Sequence, residues 1–294
     1  MGNILTKQFY RQRKDFEDSC AGRDAGLTFP EGVICSTDIA YADDGIKAHM
    51  LDIYRPEDSQ EKILPVIINV HGGGLIIGNK EFNRYFCALL CKKGFLVYSI
   101  EYRLIPDCLI YDQIADVFMA MDYIKERLAA DGGDSSHVYM AGDSGGACLI
   151  TYANAIQNST NIARAANVTP SGLRINALGL ISGMFYTSRF DKIGLFLPKY
   201  LYGRDYKKTS FAKYVNPENR ELLNSLAPVW LVTSHNDLLR RYTTDFEKAL
   251  TRAEREHELV VFPKNKKLTH AFSVFEPFLP ESGAVIDMMV EYLR

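Results

Sequence analysis

Three apolar runs constrain this chain more than any other feature: "LPVIINVH" (Leu64 to His71), "GFLVYSIEY" (Gly94 to Tyr102) and "SHVYMAG" (Ser136 to Gly142). A strand with one face in water alternates apolar and polar residues. Runs this continuously apolar belong to strands buried on both faces, which is the condition of a parallel sheet covered by crossover helices. The intervening segments are long enough to be those helices. In "YDQIADVFMAMDYIKERLAA", Ile114, Val117, Phe118, Met121 and Ile124 recur at helical spacing. The alternation continues with a helix from Gly145 to about Gln157, strands "INALGLISG" and "APVWLVTS", helix "TTDFEKALTRAERE", strand "ELVVFP" and a last helix "SGAVIDMMVEYLR". Upstream, "GVICSTDIAYA" and "KAHMLDIYR" flank Asp43-Asp44-Gly45 and read as an antiparallel hairpin. The expected class is α/β, with a mostly parallel central sheet and helices on both faces.

The 294 residues read as a single domain, residues 1–294, and a 47% apolar content is enough to fill one large core. A net charge of −2 without a basic stripe argues against a nucleic-acid partner. No apolar run reaches the ~18 residues of a membrane span. The start "MGNILTKQFYRQRKDF" is too polar for a secretory signal, so a cytoplasmic location is expected. That start also matches the N-myristoylation pattern, Gly2 with Thr6, a motif short enough to arise by chance. The six cysteines are dispersed, and the i,i+4 pair Cys87 and Cys91 has no second pair to complete a metal site; reduced, packed thiols are expected.

Two segments break the rhythm. The first thirty or so residues place Ile4, Leu5, Phe9 and Phe16 among charges, a weakly amphipathic helix. Gly183 to Pro217 is unusually aromatic and too long for an ordinary connection. It suits a lid whose rings bound a substrate's acyl chain, with packing against the sheet as the alternative for any one ring.

Chemistry concentrates where strands end. Gly142-Asp143-Ser144-Gly145-Gly146 follows a predicted strand and opens a predicted helix. A sharp strand-to-helix turn holds a serine hydroxyl above a sheet, and the flanking glycines let strand and helix approach. A glycine-rich turn capped by Asp143 or Ser144 is the plainer alternative. After another strand comes His71-Gly72-Gly73-Gly74, whose Gly73 and Gly74 N–H groups, with that of Gly145, can converge on an oxyanion. The Walker lysine and the G-x-G-x-x-G spacing are both missing, which argues against a phosphate loop. A serine nucleophile needs a base and an acid to orient it, in the chain order Ser, acid, His. Asp237 follows "VWLVTS" at a carboxyl-terminal strand edge, and His270 lies in the loop that follows "ELVVFP". His235 is the rival base, but it precedes the candidate acid.

These motifs, "HGGG" at His71, "YRLIP" at Tyr102, "GDSGG" at Gly142, "NDLL" at Asp237 and "HAF" at His270, resemble in order the hormone-sensitive-lipase-like branch of the α/β-hydrolase family. "LDIYRP" is similar to a stretch in related acetylesterases. The resemblance implies an α/β-hydrolase fold with cap elements at approximately residues 1–30 and 183–217. It implies Ser144 as nucleophile, His270 as general base, Asp237 as its orienter, and Gly73, Gly74 and Gly145 as oxyanion donors. It further implies hydrolysis of short-chain, acetyl-like esters through an acyl-enzyme, with a small-molecule ester as substrate and no metal or organic cofactor. An amide or formamide hydrolase with the same triad and a catalytically silent ligand-binding protein are the alternatives. Gly145 stands where the family usually has Ala, "HAF" where it has "HGF", and "DLLRR" lacks a second Asp.

Overall fold

The computed structural model describes residues 2–59 and 62–294, and the side chains of residues 2–4, 192 and 196 lie outside that description. Ile4 and Phe196, singled out from the sequence, fall among them. Helix α1 (Gly2–Asp24) leads into the hairpin β1 (Val33–Ala40) and β2 (Met50–Pro56), then β3 (Leu64–Val70), α2 (Arg84–Lys92) and β4 (Leu96–Ile100). There follow α3 (Ile110–Arg127), β5 (Gly133–Asp143), α4 (Gly145–Asn158), α5 (Thr160–Ala166) and β6 (Leu178–Ile181). The aromatic insert holds the short helices α6 (Lys192–Phe196) and α7 (Pro198–Leu201). After α8 (Arg220–Asn224) come β7 (Val229–Ser234), α9 (Arg240–Arg252), β8 (His257–Phe262), α10 (Phe272–Phe275) and α11 (Pro280–Leu293).

The eight strands form one sheet in the order β1-β2-β4-β3-β5-β6-β7-β8. β2 is antiparallel to both β1 and β4, and every other pairing is parallel. The period of two explains both layers. Val66, Ile68, Val138, Met140, Leu178 and Leu180 point to one core with α3, α4 and α9, while Ile67, Tyr139, Ala141, Trp230 and Val232 point to the other with α2 and α11. Parallel strands all end on one side, so the loops carrying Ser144, Asp237 and His270 gather at a single carboxyl edge.

The rings of the insert are largely taken up by packing. Tyr186, Tyr202, Phe211 and Tyr214 are buried, and Phe211 lies edge-on to Tyr111 and against Tyr152. Phe190, in contrast, is 91% exposed. The N-terminal helix docks on both cores: Phe9 meets Tyr200 of the insert edge-on at 5.3 Å, and Phe16 packs on Phe82 and Phe275. Between them Arg13 donates to the carbonyls of Ile76 (2.8 Å) and Ile105 (2.7 Å) and to Asp107 (2.7 Å). Arg13→Ala is therefore expected to loosen α1 by about 2 kcal/mol, the scale of hydrogen bonds made by a charged donor. Faster amide exchange confined to α1, with the sheet still protected, is the expected readout.

Candidate active site

Ser144 sits between β5 and α4 with φ 50° and ψ −113°, a region a non-glycine residue occupies only when its surroundings impose it. The surroundings do so from two sides. Its N–H donates to the Ile181 carbonyl at 2.8 Å and its carbonyl accepts from Met184 N–H at 2.9 Å, pinning the turn to the end of β6. Across the turn, α4 runs so close to β3 that a Cβ at residue 146 would lie 2.0 Å from the Val70 carbonyl oxygen. The expected reason for a glycine two residues after the serine is met by backbone contact.

The turn presents Ser144 Oγ 2.9 Å from His270 Nε2, and His270 Nδ1 is 2.7 Å from Asp237 Oδ1. A carboxylate only accepts, so Nδ1 carries the proton and Nε2 is left to accept from the serine. Asp237 is buried and fully engaged: Thr233 Oγ1 donates to its Oδ2 (2.7 Å) and Leu239 N–H to its Oδ1 (2.8 Å). Burial pushes the Asp237 carboxyl up, but the His270 hydrogen bond and charge, with the other donors, outweigh it and hold the group below the usual carboxylate range. His235, the rival base, is exposed and bonds Arg240 instead.

Beside the serine, Gly73, Gly74 and Leu75 all have positive φ (103°, 61° and 70°). Among the described residues the N–H groups of Gly73 and Gly74 have no acceptor, and Gly145 N–H lies in the first turn of α4, where no intrahelical partner exists. Gly145 and the loop are nearly in contact, since a Cβ at residue 145 would be 2.9 Å from Leu75 N and 3.1 Å from Gly74 N. Three free N–H donors beside a serine hydroxyl can stabilise the oxyanion of a tetrahedral intermediate.

Supports of this loop were not singled out from the sequence. Asp143 Oδ1 accepts from Gly72 N–H and Asn83 Nδ2, both at 3.0 Å, and Gln113 Nε2 donates to the Leu75 carbonyl at 3.0 Å. His71 is fully buried, stacked on Tyr102, with Nδ1 2.8 Å from the Gly72 carbonyl and Nε2 2.9 Å from Glu101 Oε1. Both neighbours only accept, an arrangement that favours a proton on each ring nitrogen. Burial pushes His71 down, but Glu101 and the Gly72 carbonyl more than offset it and raise its pKa.

A cavity of about 510 Å³ opens on Ser144 and His270, walled by Phe16, Ile76, Ile77 and Phe275, with Gln12 and Asp15 also lining it. Its roof is thus α1, and no described residue of the 183–217 insert lines it. The sequence traces of that role were the family resemblance, which implies a cap at residues 1–30, and the apolar residues Leu5, Phe9 and Phe16 in an otherwise charged helix.

A family model for the alpha/beta hydrolase fold matches residues 67–273. The chain belongs to the α/β-hydrolase fold family. Among curated relatives, the chain is 29% identical over 184 residues to a probable isoprenylcysteine alpha-carbonyl methylesterase of Oryza sativa subsp. japonica, covering 59% of this chain and 44% of that protein. It is 32% identical over 120 residues to the esterase LipQ of Mycobacterium tuberculosis, covering 40% of this chain and 28% of that protein. The chain spans less than half the length of these relatives. Among solved structures, esterase B from Lactobacillus rhamnosis superimposes with a TM-score of 0.92 at 22% identity, over 99% of this chain and 94% of that one, a likeness of fold.

Two expectations follow from this geometry. Gly146→Ala forces backbone against backbone and should lower the unfolding free energy by about 2–3 kcal/mol, read as a lower urea midpoint. Because the folded His71 pKa lies above its unfolded value of about 6.5, its contribution to stability is complete below that pH and is lost as pH rises through the folded value. Urea unfolding from pH 6 to 9 should show this decline, and His71→Gln should flatten it.

Proposed function

We propose that the chain is a serine hydrolase of carboxylic esters that works through an acyl-enzyme and prefers short acyl chains. The observation that carries the reading is the Ser144, His270 and Asp237 relay, at 2.9 and 2.7 Å, on the floor of an apolar cavity faced by three free N–H donors. In this reading Ser144 Oγ attacks the ester carbonyl as its proton passes to His270 Nε2. The oxyanion is held by the N–H groups of Gly73, Gly74 and Gly145. Collapse of the tetrahedral intermediate expels the alcohol, which takes the proton from His270, and leaves Ser144 acylated. A water molecule, deprotonated by the same nitrogen, attacks the acyl group; the carboxylic acid leaves and Ser144 Oγ recovers its proton. Asp237 keeps the imidazole in the useful tautomer and offsets the transient imidazolium charge.

The names of the curated relatives, methylesterase and esterase, describe cleavage of the same kind of bond. The cavity supports the acyl preference: about 510 Å³ between Phe16, Ile76, Ile77 and Phe275 suits a compact ester. Purified protein is expected to cleave p-nitrophenyl butyrate at least tenfold faster than the palmitate ester and to keep that activity in a chelator. Ser144→Ala should abolish turnover and labelling by a fluorophosphonate, and Asp237→Asn should lower kcat by about 10⁴-fold, as when the orienting acid of such a triad is lost. An intact protein that never labels at Ser144, or a chelator-sensitive activity, overturns the reading.

A further inference from the structure

The loops that follow β7 and β8 carry features that neither the fold nor the proposed hydrolysis uses. Leu238, next to Asp237, is 73% exposed, and Phe190, in the segment that follows β6, is 91% exposed. The Phe190 segment is tied to α9 by Tyr242 Oη donating to Asp191 (2.6 Å) and by the Arg189 to Asp245 ion pair (2.9 Å), so both apolar side chains stand on neighbouring loops of the carboxyl edge. The adjoining loop, joined to this one by His235 N–H on the Phe262 carbonyl, is Lys264-Asn265-Lys266-Lys267, three residues short of His270. Lys264, Lys266, Lys267 and Arg241 are exposed, and their side chains make no ion pair or hydrogen bond among the described residues.

Large apolar side chains held out in water cost solvation free energy and contribute nothing to folding, and the molecule as a whole is slightly acidic. Their combination with uncompensated cations is the composition that binds an anionic lipid surface, where the rings and aliphatic tips enter the headgroup boundary and the lysines meet phosphate. We infer that the β6 to β8 side of the carboxyl edge is a docking face for anionic membranes, with Phe190 and Leu238 inserted and Lys264, Lys266, Lys267 and Arg241 on the headgroups. Docked in this way, the protein presents the edge that bears Ser144 to the bilayer. The inference goes beyond the proposed hydrolysis and does not depend on it.

The test is co-sedimentation of the full chain with vesicles of phosphatidylcholine alone or mixed equally with phosphatidylglycerol, at 50 and 300 mM NaCl. Binding to the mixed vesicles and not to phosphatidylcholine is expected, with a part surviving at high salt. Lys264→Gln, Lys266→Gln and Lys267→Gln together should weaken low-salt partitioning on the order of 100-fold. Phe190→Ser with Leu238→Ser should remove the salt-resistant part, while hydrolysis of a soluble ester and the circular dichroism spectrum stay as in the parent. Ser144→Ala should bind vesicles normally, which separates this result from the fate of the hydrolase reading. Absence of binding to the mixed vesicles at low salt overturns the inference. So does binding that vanishes at high salt and ignores the serine substitutions, which would mark a face for soluble acidic partners instead.

Discussion

The close approach of α4 to the end of β3 is the contact on which the site depends. With no side chain at residue 146, the first turn of the helix lies against the carbonyls of Val70 and His71. That approach keeps Ser144 in its strained conformation and sets Gly145 N–H beside the Gly73 and Gly74 loop. The same contact thus fixes both the Ser144 hydroxyl and the N–H groups that face it. Regular strands and helices on either side over-determine the turn, so the cost of the strained residue is met by packing that the fold needs in any case.

The polar groups beneath the loop form a second level of support. Asp143, Gln113 and the His71 and Glu101 pair hold backbone groups of residues 71–75 or the ring beneath them, and Asn83 holds Asp143 in turn. Backbone N–H groups that must stay unpaired until a substrate arrives are costly to keep in place. Here Gly72 N–H and the carbonyls of Gly72, Gly73 and Leu75 are all bonded, which limits the freedom of the loop to turn the unpaired groups elsewhere.

The sheet was legible because burial on both faces writes itself into every strand, and parallel strands leave few alternatives. Ser144, Asp237 and His270 were legible because each lies at or beyond the carboxyl end of a parallel strand, so motif and chain order together placed them on one edge. The supports were harder to find. Asp143 and Gln113 act on backbone atoms distant in sequence, and no local pattern marks such a partner. Helix α5, Thr160–Ala166, has no counterpart in the sequence reading because seven residues show too little periodicity. The roles of the two irregular segments were the hardest to read. Aromatic content drew attention to residues 183–217, yet rings are as useful for filling a core as for walling a cavity. The charged helix α1 roofs the site through Phe16, a ring in a largely polar sequence.

Arg13 gives that roof an unusual attachment. Its guanidinium bonds the Ile76 carbonyl, two residues beyond Gly74, so helix and glycine loop form one mechanical unit rather than a door on a separate frame. A ligand that lifts α1 to gain room beneath it pulls, through Arg13, on the strand of backbone that carries the free N–H groups. Size is then registered as disorder at the reacting centre, and an oversized guest would be held in a site that no longer has its geometry.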